Sequence, residues 1–201
     1  WDNETCQILT DLYGVTSGNN TFVTVGDNGT ILRSTDNASS WNNSTSPITT
    51  KLKEVAFGNN IVSSSTLSTF VGVGDLGKIV RSTNNGWSWN NPTSPIATYI
   101  KGVTFGNNTF VGVGESGKTV RSTDTGSTWD NSTVPSPHHN LNAVTFGNNI
   151  FVAVGQSGKI VRSSDNGSTW NNSTSGTSRH LHGFTFGNNT FVAVGQSGKI
   201  V

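Results

Sequence analysis

The chain is poor in the groups that proteins most often use for chemistry. It has one cysteine, Cys6, so no disulfide can form within it. Charged residues make up 11% of its 201 positions, against roughly 25% in an average soluble protein. The 12 basic and 11 acidic residues leave a net charge of +1 and form no block of either sign. A basic stripe for nucleic acid and an acidic solvating tail are both excluded on that ground. No apolar run reaches the ~18 residues that a membrane-spanning helix needs. No signal peptide is visible, so a leader has been removed or the numbering starts inside a longer precursor. The i, i+3, i+4 periodicity of an amphipathic helix is missing, and no segment reads as a crossover helix. Walker, dinucleotide-binding and Ser-His-Asp patterns are absent too.

Gly, Ser, Thr and Asn fill the space that charges usually occupy. Regularly spaced Phe, Val and Trp argue that the chain nevertheless folds. "GNN" recurs at Gly18, Gly58, Gly106, Gly147 and Gly187, in steps of 40, 48, 41 and 40 residues. One insertion, Ile61 to Ser68, accounts for the long step. "FVTVGDNG", "FVGVGDLG", "FVGVGESG" and two copies of "FVAVGQSG" keep the same phase, and so do four boxes ending in Trp41, Trp89, Trp129 and Trp170. Each unit reads as four short strands. "LNAVTF" is the first, and "GNN" turns the chain because Gly and Asn tolerate positive φ. "IFVAVG" is the second, apolar or small throughout and so buried on both faces. "KIVRS" is the third, and the fourth starts at the box Trp.

Four strands per ~40 residues, with neighbouring sheets covering one another, is the pattern of a β-propeller blade. The expected fold is all-β: one five-bladed β-propeller of four-stranded antiparallel blades, at about 12–47, 52–95, 100–134, 141–175 and 181–201 plus 1–7. The last unit lacks its Trp strand, and "WDNETCQ" matches Trp129-Asp130-Asn131-Ser132-Thr133 closely. The N-terminal strand from Trp1 is therefore expected to close the fifth blade beside the strand that ends at Val201.

Ser163 to Trp170 and Ser122 to Trp129 fit Ser-x-Asp-x-Gly-x-Thr-Trp, while Ser34 to Trp41 departs at Ala38 and Ser40, and Ser82 to Trp89 at Asn84 and Ser88. In these residues the chain resembles the BNR, or Asp-box, repeats of sialidase-like and photosystem-assembly-factor-like propellers. The resemblance implies that Asp36, Asp124 and Asp165, with Trp41, Trp89, Trp129 and Trp170, are structural and lie at the rim. It also implies what a sialidase would require: three arginines around one carboxylate, and a Tyr nucleophile with an acidic partner. Arg33, Arg81, Arg121 and Arg162 share one repeat slot and cannot converge, Arg179 is the only other arginine, and Tyr13 and Tyr99 are the only tyrosines. No catalytic residue is assigned. The photosystem relatives look larger, usually with seven blades.

The residues that break the repeat gather in the connections into strand one and at its start. Candidate ligand-binding residues are Tyr13, Lys51, Tyr99, His138, His139, Arg179 and His180, on the same face as the "VGQSG" turns. All four histidines enter the fourth and fifth units, but their spacing matches no zinc signature, and neither a metal nor another cofactor is expected. Asp27, Asp75, Glu115, Gln156 and Gln196 share a turn slot, either capping their turns or forming shallow polar pockets. Trp87 stands where the box usually has a small residue, as a stacking platform or packed on the insertion.

About a dozen Asn-x-Ser/Thr sequons and the composition suggest a secreted or surface-exposed protein. The expected function is a non-enzymatic module that binds a glycan or a surface protein, with no nucleic-acid partner. The alternatives are a homopolymer subunit joined by exchange of the N-terminal strand, and, least, a glycoside hydrolase.

Overall fold

A computed structural model describes residues 8–62 and 65–201. The protein is all-β, and its antiparallel sheets follow one another in chain order. The first contains β1 (Leu12–Gly18), β2 (Thr21–Gly26), β3 (Ile31–Ser34) and β4 (Asn42–Asn43). The second contains β5 (Leu52–Val62), β6 (Ser65–Gly74) and β7 (Ile79–Ser82). The third contains β8 (Ile100–Gly106), β9 (Thr109–Gly114), β10 (Lys118–Ser122) and β11 (Asp130–Thr133). The fourth contains β12 (Leu141–Gly147), β13 (Ile150–Gly155), β14 (Ile160–Ser163) and β15 (Asn171–Ser173). The fifth contains β16 (Leu181–Gly187) and β17 (Thr190–Gly195), and Val201 extends it by exchanging backbone hydrogen bonds with Ala193 at 2.8 and 2.9 Å. The expected closing strand from Trp1 lies outside the described residues.

Both asparagines of the "GNN" turn are left-handed in four of its five copies, for example Asn107 at φ 44° and Asn108 at φ 60°. That is the conformation a two-residue hairpin needs. In the second sheet the insertion changes this. Asn59 pairs with Ser68 and Asn60 with Leu67, so the turn is replaced by a longer hairpin. The second sheet also loses its fourth strand to a single bridge, Arg81 with Asn90. In the first sheet the Ser44 N–H donates to the Ile31 carbonyl at 2.9 Å. Pro92 stands at that repeat position in the second sheet and has no N–H to give.

The core lies between the sheets. Each turns a trailing face to the sheet after it and a leading face to the sheet before it. Between the first and second sheets, Val23, Val25 and Ile31 of the trailing face meet Leu52, Val55, Phe70, Val80 and Trp89 of the leading face. The same layer recurs between the second and third sheets and between the third and fourth, sealed by Trp129 and Trp170. Between the fourth and fifth it is smaller, built on Val154, Leu181 and Ala193.

Phe57, Phe105, Phe146 and Phe186 lie flat over the glycine that ends strand one of the preceding sheet. A Cβ on Gly18, Gly58, Gly106 or Gly147 would come within 2.1–2.5 Å of those rings. Only glycine allows so close an approach. At the rim, Arg33 Nε donates to the Asn85 carbonyl at 2.7 Å and Arg81 Nε to that of Thr125 at 2.6 Å, while Arg121 reaches that of Asn166 at 3.3 Å. The arginine of each sheet thus holds the Trp-box turn of the next. Arg162 is exposed.

Candidate binding site at the axial mouth

The first strands β1, β5, β8, β12 and β16 pack side by side and form the inner wall of the arc. Each begins with the same irregularity. Leu12 pairs with Gly26 and Gly14 with Val25, leaving Tyr13 as an extra residue. Lys53, Lys101, Asn142 and His182 are extra in the same way in the other sheets. A bulge unpairs its residue from the ladder and re-aims the side chain. Five repeats of one bulge therefore set five different side chains in a row.

That row borders a cavity of about 300 Å³ touched by all five sheets. Its lining includes Tyr13, Lys53, Glu54, Lys101, Asn142 and His182. Tyr13 donates from its hydroxyl to Asp27 Oδ2 at 3.0 Å, and Lys51 and Lys53 each hold their ammonium 4.7 Å from its ring centre. Lys51 also pairs with Asp27 at 3.2 Å. Hydrogen bonds to Tyr13 and Asp27 push the Lys51 ammonium pKa up. Lys101 lies 3.9 Å from Glu115, and Asn142 Nδ2 donates to the Leu181 carbonyl at 2.8 Å. Glu54 stands where three of the other sheets have glycine and one has alanine. Burial raises its carboxyl pKa, against the hydrogen bond from the Val55 N–H and the charge of Lys53. The mouth is therefore polar, and the cavity lining itself holds two lysines and one carboxyl.

Of the residues singled out in the sequence, Tyr13 belongs to this row. Lys51 supports it from the next turn. Tyr99 is half-buried with Lys101 5.8 Å from its ring; burial, and then the charge of Asp75, raise its hydroxyl pKa. The rest lie elsewhere. His138 Nδ1 is 2.9 Å from the Val134 carbonyl, and His139 borders a separate cavity of about 370 Å³ lined by the fourth sheet and the connections into and out of it. Arg179 is exposed. His180 Nδ1 accepts the Ser157 N–H at 2.9 Å, as Asn140 Oδ1 accepts that of Ser116. These two side chains cap the turn of the preceding sheet.

Lys53, Lys101 and His182 stand among the residues that break the repeat, but the sequence does not by itself join them with Asn142 in one row, although it carries the row's signature. Leu52 and Val55 are both buried on one face, and they are three residues apart. Ile100 and Val103, and Leu141 and Val144, repeat that spacing. In a regular strand only residues two or four apart share a face. A spacing of three requires one extra residue between them.

The Trp-box turns lie away from this mouth. Asp165 Oδ1 accepts the Ser163 hydroxyl at 2.7 Å and the Thr169 N–H at 2.9 Å, and Oδ2 accepts the Thr169 hydroxyl at 2.6 Å. Asp124 and Asp36 are held alike. Asn84 replaces the carboxylate by accepting from Ser82 and donating to Ser88. Trp87 is 70% exposed, with the Arg33 guanidinium 5.6 Å from its ring centre. Among the described residues no three His, Cys, Asp or Glu side chains converge as a metal site would require. No helix there is long and apolar enough to cross a membrane.

No family profile and no curated protein matches the chain. Solved structures do. YCF48 bound to D1 peptide is 16% identical with a TM-score of 0.73, covering 100% of this chain and 66% of that one. YCF48 from Cyanidioschyzon merolae is also 16% identical, with a TM-score of 0.69, covering 98% of this chain and 67% of that one. A nidogen/laminin complex is 9% identical with a TM-score of 0.67, covering 92% of this chain and 72% of that one. The chain thus spans about two-thirds of the YCF48 chains it matches. At these identities the likeness establishes the fold, and the fold is a β-propeller.

Proposed function

We propose that the chain is a non-catalytic, secreted or surface-exposed binding module that takes an extended segment of a protein at the axial mouth. The observation that carries this is the bulged row, one non-equivalent side chain per sheet on an otherwise repeated scaffold. Loops and irregularities on a rigid frame are where recognition concentrates. Lys53 and Lys101 line the cavity with Glu54 as its one carboxyl, whose pKa burial raises. An acidic segment fits that balance. The presence of a D1 peptide in a YCF48 structure supports a peptide rather than a glycan as the ligand. Catalysis is disfavoured by the arginines. Tyr13 does have an acidic partner in Asp27, but Arg33, Arg81 and Arg121 are committed to carbonyls at the rim. The test is a peptide array probed with the whole chain. Saturable binding to acidic segments, lost in Lys53→Ala/Lys101→Ala and kept in Arg179→Ala, supports the reading. Binding indifferent to the lysines refutes it.

The repeats fit the BNR, or Asp-box, type in their Ser-x-Asp turns, which supports membership without a matching profile. On the same reading the chain has five blades, with Trp1–Gln7 as the fourth strand of the fifth. A second reading has a neighbour supply that strand, which would make the chain a homopolymer subunit. It is favoured by the edge at Lys199–Val201, which occupies the place where β3, β10 and β14 each pair with a fourth strand. Light scattering on a variant lacking residues 1–7 separates the two. A destabilised monomer supports self-closure, and loss of large species supports exchange.

A further inference from the structure

The connection from the third sheet into the fourth holds down a lysine that has no counter-ion. The Pro135 carbonyl accepts the Lys159 ammonium at 2.7 Å, and the Ser136 carbonyl accepts Asn172 Nδ2 at 3.2 Å. Lys159 also donates to Asn172 Oδ1 at 2.6 Å. Covered in this way it is 7% exposed, whereas Lys78 and Lys118, at the same repeat position, are only half-buried. Both of its partners are neutral oxygens. Among the described residues no carboxylate pairs with it. Burial pushes its pKa down. An ammonium has three N–H donors, so one is left over here. A buried charge with no opposite charge beside it is costly.

Lys159 and Asn172 line the cavity of about 370 Å³ on the fourth sheet. Ser157, Ser173 and Thr174 add hydroxyls that bond to nothing else among the described residues, His139 adds an imidazole, and the lining holds no carboxyl. The connection leaving the sheet takes a path of its own here. Gly176 stands at φ 66°, where the first two units have Pro47 and Pro95, and proline cannot adopt that angle. Nothing lies within 4 Å of where a Gly176 Cβ would be. The surroundings are basic as well. From Pro135 to Val201 the chain has four basic residues and one acidic residue, Asp165, whose carboxylate is taken up by its own turn. We infer that this cavity binds a small polyhydroxy acid, its carboxylate on Lys159 and its hydroxyls on Ser157, Ser173 and Thr174. The carboxylate supplies the charge that Lys159 lacks, and the hydroxyl-lined wall replaces water around the rest of the ligand. The volume is at the lower end of the roughly 300–1,000 Å³ of small-molecule sites, which suits a ligand of about six carbons. The site belongs to an internal repeat and the connections on either side of it. It is separate from the axial mouth, and neither needs the other.

Amide chemical-shift titration of the full chain with gluconate, sorbitol and hexanoate tests it. Gluconate carries both the carboxylate and the hydroxyls, sorbitol only hydroxyls, and hexanoate only a carboxylate. The expected result is saturable shifts at Ser157, Lys159, Asn172 and Ser173 with gluconate, at an affinity about ten-fold or more above that of either other probe. Saturation with gluconate should also raise the pKa of the Lys159 side chain, read from its own resonances. Lys159→Met abolishes the binding. Asn172→Asp abolishes it too, because it sets a built-in carboxylate beside the ammonium, and it keeps the test decisive if the methionine variant does not fold. Sorbitol binding as tightly as gluconate would take the ammonium out of the recognition, and hexanoate doing so would take out the hydroxyls; either result overturns the inference. Inorganic sulfate binding as tightly would make the cavity an unselective anion site and overturn it as well. So would shifts confined to the axial mouth, or none with gluconate at all.

Discussion

Replacing Trp129 and Trp41 by alanine, one at a time, compares the same repeat position with and without a preceding sheet. Trp129 is 8% exposed, packed with Val71, Val73 and Phe110, and its Nε1 donates to the Gly126 carbonyl at 3.0 Å. Truncating a buried Trp costs ~3–5 kcal/mol. The Gly126 carbonyl loses a partner in the same change, at about 1 kcal/mol. The total is a large share of the roughly 5–15 kcal/mol that holds a domain together. Trp41 is half-buried, and among the described residues no sheet lies in front of it. Its truncation should cost no more than ~1–2 kcal/mol, in proportion to the area it hides. Urea unfolding at 25 °C followed by far-ultraviolet circular dichroism reads both. A large drop in midpoint for Trp129→Ala and a small one for Trp41→Ala is expected. Equal losses would refute the claim that the boxes act by sealing one sheet onto the next.

The glycine row gives a second contrast: Gly106→Ala, whose Cβ would sit 2.1 Å from the Phe146 ring, should destabilise by ~1–3 kcal/mol, and Gly187→Ala, with nothing within 4 Å, by under ~0.5 kcal/mol, in the same urea assay. The box aspartates predict a loss of stability in acid. Hydrogen bonds from Ser40 and Ser34 lower the Asp36 pKa from 3.8 to about 2. Burial raises those of Asp124 and Asp165, but bonds from their Thr and Ser neighbours outweigh it and leave both lowered. A carboxyl with a depressed folded pKa stabilises above its unfolded value and loses that contribution as pH falls through the folded one. Thermal melts should therefore decline from about pH 4 toward pH 2, and Asp165→Asn should flatten that decline. Glu54 runs the other way: burial raises its pKa, so the folded state holds its proton more tightly and stability falls as pH rises past 4.5. Glu54→Gln should raise the melting temperature at pH 7 and make little difference at pH 3.

The repeat, its four-strand grammar and the hairpin turns were legible in the sequence because each rests on local chemistry. Asn-Asn after Gly sets a two-residue turn, and the unbroken apolar or small run of "IFVAVG" sets a strand covered on both sides. The shortened fourth strand at Pro92 could have been read by the same logic. The longer hairpin around Asn59 and Asn60 could not, since the same Gly-Asn-Asn that turns the other four units runs on as strand here. The binding row was half legible. Variation near the start of strand one was visible, but which positions in it point to the axis depends on the bulge. Asn140 and His180, one turn earlier, looked equally variable, and they are spent capping Ser116 and Ser157. The pairing of each arginine with the next box, such as Arg81 with Thr125, was hidden because its partner lies 44 residues away.

The most direct test of the account is amide chemical-shift mapping of the isotope-labelled chain with an acidic peptide selected on the array. The account predicts shifts that follow the bulged row, at Tyr13, Lys53, Lys101, Asn142 and His182, and silence at the rim turns around Asp124 and Asp165. Shifts concentrated in the rim turns, with the row unmoved, would contradict it.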